Sequence, residues 1–242
     1  MIGLIGYGRF GRLTVEHLSP DCDVVVHTRD SSKAADIEQA GGRPGTLENA
    51  CAGETVVLCV PISAMQATLT HIAPLLAPGT LVIDVCSVKV LPVQWMTQLL
   101  PGHAEILATH PMFGPDSAKH TMAGHKLVLC PERITAPRYA GIKAWLEKKK
   151  LHLIETTPDE HDRQIAVSLA LTHFIGRSLS AFGAQPLEID TEGYKRLLHI
   201  LGVVQNDTWQ LFEDMHHYNP YAGAQREAFM EAMNSIEKKL SR

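Results

Sequence analysis

The sequence predicts an α/β protein in which a doubly wound, mostly parallel sheet is followed by a smaller all-helical domain. Three observations predict it. Short β-branched runs alternate with helix-like stretches up to about residue 155, a glycine triplet separates the first run from the first helix, and strand signals cease after Pro158.

The runs at 2–5, 24–28, 55–60, 81–85, 105–109, 126–130 and 152–155 are the expected strands. Runs such as Val24-Val25-Val26 are apolar throughout, as strands are when helices cover both faces of their sheet. After Thr156-Thr157-Pro158, the segments 159–182, 191–215 and 221–240 place apolar residues at helical spacing. Pro158 marks a helix start, Gly183 a helix end, and Asn219-Pro220 a break between the last two helices. The expected domains are therefore 1–156 and 157–242.

Composition narrows the function. The 242 residues are 45% hydrophobic and 20% charged, which is enough apolar material for a large core. A formal charge of -4 provides no basic field for nucleic acid, so no such partner is expected. The five cysteines are odd in number and widely spaced, and read as reduced residues rather than a disulfide framework. Met1 runs directly into the first strand, and no stretch is expected to reach the ~18 apolar residues of a membrane span. A cytoplasmic protein without a membrane partner is the expectation.

Gly6, Gly8 and Gly11 lie between the first strand and a helix running through Leu18. Gly6 suits a tight turn, Gly8 close approach of backbone amides to a pyrophosphate, and Gly11 close packing of helix on strand. This is the pattern of a Rossmann-type dinucleotide site. At the end of the second strand, Thr28 stands where an NAD-binding site usually carries an acid. Arg29 can pair with a 2'-phosphate and the hydroxyls of Ser31 and Ser32 can bond its oxygens, so NADP is expected, with NAD as the alternative. Asp30 opposes this reading, because a one-residue slip makes it the ribose ligand.

Ser87 follows the fourth long strand run and His110 the fifth. Ligands of doubly wound sheets bind at the carboxyl ends of the strands, so both residues are expected to face one pocket. Pro111 biases His110 toward extended backbone.

These residues resemble the prephenate and arogenate dehydrogenases (cyclohexadienyl dehydrogenases). The resemblance rests on Gly-Leu-Ile-Gly-Tyr-Gly at 3–8, Cys-Val-Pro at 59–61, Asp-Val-Cys-Ser-Val-Lys at 84–89 and His-Pro-Met-Phe-Gly-Pro at 110–115. Thr172-His173, Glu192-Gly193-Tyr194 and Asn219-Pro220-Tyr221 extend it through the helical part. It implies oxidative decarboxylation of prephenate and/or arogenate on the route to tyrosine, with hydride transfer from the ring C4 to NAD(P). His110 is then the acceptor for the hydroxyl proton and Ser87 the residue that holds the reacting atoms in line. Arg9, Phe10, Val60 and Pro61 join the glycines, Thr28, Arg29, Ser31 and Ser32 as cofactor-binding residues. His173 and Arg177 become substrate contacts, although the residues alone also allow a core histidine and an interface arginine. Where relatives carry a carboxylate-binding arginine this chain has His199, which stays a candidate substrate contact; either Arg196 or Lys195 takes over the carboxylate, or the anion is held differently here.

Family members pair through the helical part, and roughly 85 residues of helix make a small core. A homodimer is therefore expected, with Trp209, Phe212 and Met215 forming an apolar stripe that serves either as intrachain core or as interface. No metal is expected: His120 and His125, or His216 and His217, are not completed by a carboxylate pattern. Two alternatives remain open at this point. One is an NADP-dependent reductase of small hydroxy acids or imines using Lys195, and the other is a non-catalytic NADP sensor.

Overall fold

A computed structural model describes residues 1–241. The chain divides into two compact units, Met1–Pro158 and Asp159–Arg242.

The first unit is built on an eight-stranded sheet of order β3-β2-β1-β4-β5-β6-β7-β8. Its strands are β1 (Ile2–Ile5), β2 (Val24–His27), β3 (Arg43–Pro44), β4 (Thr55–Leu58), β5 (Leu81–Asp84), β6 (Glu105–Pro111), β7 (Lys126–Arg133) and β8 (His152–Glu155). Six of them, β1 to β6, run parallel; β7 is antiparallel to β6, and β8 parallel to β7. Helices α1 (Arg9–Leu18), α2 (Ala34–Gln39), α3 (Leu47–Cys51), α4 (Met65–Ile72), α5 (Val90–Leu99) and α6 (Ala136–Lys148) connect them. Leu4, Val26, Leu58, Val82 and Leu107 are buried along the central strands, as the continuous apolar runs require.

Several strands depart from expectation: β4 stops at Leu58 and not at 60, and β7 runs on to Arg133 from the expected 130. The two-residue β3 has no sequence signature, because Arg43-Pro44 is too short and too polar to carry a period. Strand β6, expected to stop at Thr109, continues through His110 and Pro111, which pair with Val128 and Leu127 of β7. His110 is therefore held in a ladder and not in a turn beyond it. Since β5 ends opposite Ala108, β6 overhangs that neighbour at its carboxyl end.

The second unit contains α7 (Pro158–Ile165), a π-helical stretch Ala166–Leu171, α8 (Thr172–Phe182), α9 (Glu192–Gln205), α10 (Trp209–His217) and α11 (Ala222–Leu240). The single helix expected over 191–215 is two. Thr208 starts the second by accepting the Leu211 amide at 3.1 Å, which supplies a helix N-terminus that apolar spacing alone does not show. Gly176 lets α8 approach α9: a Cβ there would stand 2.6 Å from Val204 Cγ2. Buried Asn219 donates to the Asp162 carbonyl at 2.9 Å and fixes the turn before α11.

One exclusion is corrected. The helical run Pro158–Phe182 is long and apolar enough to cross a membrane by length and composition. It carries Asp159, Glu160, Asp162 and Arg163 in its first turns and Arg177 toward its end, and Ile165, Ala166, Ala170 and His173 are buried within the unit.

Candidate active site

The turn after β1 takes the form that its glycines require. Gly6 has φ +98°, and a Cβ on it would lie 2.4 Å from the Cys59 carbonyl oxygen and 3.0 Å from Val60 Cγ1. A Cβ on Gly11 would lie 2.4 Å from the Gly6 oxygen, so α1 sits directly on the turn. Gly8 is different. It precedes α1 in extended backbone, receives no side-chain cap, and has nothing within 4 Å of a built Cβ. Open space in front of uncapped helix amides fits the pyrophosphate of a dinucleotide. Pro61 is exposed at the start of a short 3-10 turn, Ile62–Ala64, beyond β4.

Arg9 and Phe10 both engage the loop that follows β6. The Arg9 guanidinium pairs with Asp116 at 2.5 Å, the Phe10 and Phe113 ring centroids are 6.4 Å apart, and His17 Nε2 meets the Ala118 carbonyl at 2.9 Å. The loop carrying the Pro-Met-Phe-Gly-Pro residues is thereby fastened to the start of α1.

At the end of β2, Thr28 is half-buried and Arg29 exposed. Asp30 caps the 3-10 turn Ser31–Lys33, accepting the Ser32 amide at 3.1 Å and the Ser32 hydroxyl at 2.6 Å. Those bonds from Ser32 hold the Asp30 carboxyl below its usual range. The Ser32 hydroxyl is thus committed to Asp30, while Thr28, Asp30 and Ser31 line a cavity of about 760 Å3 together with His27 and Thr46.

Ser87 and His110 extend from the ends of the adjacent strands β5 and β6. His110 is 6% exposed. The Ser87 hydroxyl is buried and has no hydrogen-bond partner, which is a costly state for a polar atom unless something else engages it. In strand order, the turn after β1, Cys59-Val60 after β4, Ser87 after β5 and His110 on β6 follow one another along the carboxyl edge of the sheet. The strand order reverses between β1 and β4, where open α/β sheets bind ligands.

The helical unit brings some of its candidates together. His173 is buried with Nε2 3.7 Å from Asp207, and Arg177 donates to the Asp207 carbonyl at 2.5 Å while stacking 5.2 Å from the Trp209 ring. Arg196 and His199 instead lie exposed on α9, and Lys195 pairs with Glu192 at 2.9 Å. The apolar stripe splits: Met215 is buried, Phe212 half-buried and Trp209 57% exposed. Asp207 and His216 belong to no motif, and nothing in the sequence marks either as a site residue. The His173 Nδ1, Arg177 Nε and His216 Nε2 atoms are all buried without partners.

Burial and the Arg226 guanidinium, which reaches His216 Nδ1 at 2.9 Å, push the His216 pKa from 6.5 down to about 4. His173 is lowered too, first by burial. A histidine whose folded pKa lies below its unfolded value takes up its proton preferentially in the unfolded chain. Stability is therefore expected to fall as the pH drops from 6.5 toward 4, and His216→Gln should flatten that slope. Thermal melts that do not change across this window contradict the assignment.

Among the described residues no group of three or more His, Cys, Asp or Glu side chains is placed to hold a metal ion. All five cysteines are free.

Comparison with known proteins bears on this arrangement. The family model described as "Prephenate dehydrogenase, nucleotide-binding domain" matches residues 23–155, and "TYRAAT1-like, C-terminal domain" matches 178–242. Arogenate dehydrogenase 2, chloroplastic, from Arabidopsis thaliana is 33% identical over 253 residues, covering 99% of this chain and 69% of that protein. Arogenate dehydrogenase 1, chloroplastic, from the same plant is 30% identical over 250 residues, covering 99% of this chain and 39% of its own length. Among solved structures, prephenate dehydrogenase from A. aeolicus in complex with hydroxyphenyl propionate and NAD+ superimposes with a TM-score of 0.79 at 17% identity, covering 99% of this chain and 90% of that one.

Proposed function

The chain belongs to the prephenate/arogenate dehydrogenase family, NAD(P)-dependent oxidoreductases of tyrosine biosynthesis, and from that premise we propose that His110 and Ser87 carry the reaction on prephenate and/or arogenate. The observation that supports this reading best is the buried, unpartnered hydroxyl of Ser87 in the loop that follows β5, the strand beside the one that carries His110. A substrate hydroxyl at this edge supplies the missing partner. His110 takes the proton of that hydroxyl, and Ser87 holds the oxygen so that the proton faces the imidazole. When bound, the nicotinamide supplies the hydride acceptor. The ladder to β7 fixes the His110 backbone, so little reorganisation is needed at the moment of transfer.

Gly6, Gly8 and Gly11 would hold the pyrophosphate of the dinucleotide, Val60 and Pro61 would flank it, and Thr28 and Ser31 would meet its adenosine ribose. Arg29 favours a 2'-phosphate, giving NADP the preference. Asp30 works against it, so the preference is carried by Arg29. Steady-state rates with prephenate, arogenate and a 3-hydroxy acid, each with NADP and NAD, test the whole reading. Activity is expected with one or both cyclohexadienes and not with the hydroxy acid. Arg29→Ala is expected to raise the KM for NADP about tenfold while leaving that for NAD within about twofold. Equal change for both cofactors removes Arg29 from the phosphate.

In the helical unit, His173 and Arg177 are the groups suited to a substrate carboxylate, with Arg196 and His199 as further candidates on α9. The same unit supports a homodimer. Met230, Met233, Ile236 and Leu240 are exposed at three- and four-residue intervals on α11, an apolar stripe of a kind that monomers rarely leave in water. Sedimentation is expected to give a dimer at micromolar protein, and Met233→Asp with Ile236→Asp a monomer. A monomeric unsubstituted protein overturns this proposal.

A further inference from the structure

The ion pair beneath the proposed site carries more than stability. Asp84 and Lys89 are both completely buried and form a salt bridge. Lys89 Nζ also donates to the carbonyl of Thr109, the residue immediately before His110, at 2.5 Å. One Asp84 oxygen accepts the Cys86 amide at 3.0 Å, and the other accepts the Thr109 amide at 3.3 Å. The Thr109 hydroxyl donates to the Asp84 carbonyl at 2.6 Å. Every polar atom of Thr109, backbone and side chain, is therefore bonded to Asp84 or Lys89.

This arrangement does two things together. It closes the loop that contains Ser87, because its two ends, Asp84 and Lys89, are tied to each other. It also clamps the peptide that leads into His110. A buried ion pair is a poor device for stability, since the desolvation cost offsets much of the attraction and apolar residues of like volume do as well. What it provides is fixed direction: a carboxylate and an ammonium, each at several specified bonds, allow one geometry.

We propose that the Asp84–Lys89 pair is the positioning device that sets Ser87 against His110, so that its loss slows proton transfer without loosening the cofactor. The proposal rests on the reading of His110 as proton acceptor. In sequence the two charges lie in one short motif, but nothing there shows that they are buried, paired, or joined to the neighbouring strand.

The test is the double variant Asp84→Asn/Lys89→Met, which removes both charges together and strands neither, keeps an acceptor for only one of the Cys86 and Thr109 amides, and deletes the bond to the Thr109 carbonyl. Misplacement of reacting groups by about 1 Å costs on the order of 100-fold, so kcat is expected to fall about 10- to 100-fold. The KM for the cofactor should stay within about twofold, and the solvent deuterium isotope effect on kcat should rise. Thr109→Val, which deletes only the hydroxyl bond to the Asp84 carbonyl, is the milder arm, with a several-fold fall in kcat and the same isotope signature.

Both are combined with His110→Asn. If the pair acts through His110, the losses do not multiply; multiplied losses overturn the proposal. An unchanged kcat in the folded double variant overturns it too, and if that variant does not fold, an unchanged kcat in Thr109→Val does so. Near-normal turnover by His110→Asn alone instead strikes the reading of His110, which keeps the two failures apart.

Discussion

His110→Asn is expected to lower kcat by about 100- to 10,000-fold while the affinity for the cofactor changes little. Asparagine fills a similar space and keeps the strand pairing with Val128, so the lost rate is that of proton removal and not of a disordered edge. The turns proposed for the cofactor follow β1 and β4, three and two strands away from β6, which is why binding should survive. Titration of the dinucleotide by tryptophan fluorescence, beside single-turnover rates with saturating substrate, measures both quantities. A variant that retains more than about a tenth of the original turnover places the general base elsewhere. Ser87→Ala gives the smaller loss, since it removes alignment and leaves the acceptor.

The second large effect separates two glycines that a motif treats alike. Gly11→Ala pushes a methyl group to 2.4 Å from the Gly6 oxygen, a backbone atom that cannot swing away. Either α1 or the turn must shift, at a cost of about 3 kcal/mol, or roughly 6–12 °C in Tm for a unit of this size. Gly8→Ala meets nothing within 4 Å and sits in extended backbone that any residue adopts, so the protein without cofactor should melt unchanged. If the space before α1 takes the pyrophosphate, that methyl displaces it, and the rise in Tm that saturating dinucleotide produces should largely vanish. Calorimetry of both variants with and without dinucleotide reads the two effects. A Gly8→Ala protein that still gains its full Tm increment puts the phosphates somewhere else.

Much of the fold was legible because burial on both faces leaves a plain signal. Strands β1, β4 and β5 are apolar along most of their length, and Gly6, Gly8 and Gly11 punctuate the first crossover at the spacing that a strand-to-helix turn needs. Features governed by pairing between distant segments were not legible. Arg43-Pro44 becomes a strand because β2 lies beside it, and His110 belongs to a ladder only because β7 folds back antiparallel. The break between α9 and α10 was hidden for a local reason: Asn206-Asp207-Thr208 is a weak interruption within a long apolar period, and Thr208 reads as a cap only once the chain turns there. Among the proposed site residues, Ser87 and His110 were suggested by the strand ends. Asp84 and Lys89 lay in view, but a charge pair looks the same in sequence whether it is solvated or sealed.

Strand β3 restricts how this protein associates with itself. It is two residues long, its Pro44 has no amide hydrogen to offer, and Arg43 is exposed with a charge beside Asp23. An incoming extended segment finds no row of donors there and must bury a guanidinium to approach. Strand-to-strand pairing between chains is therefore disfavoured along that margin.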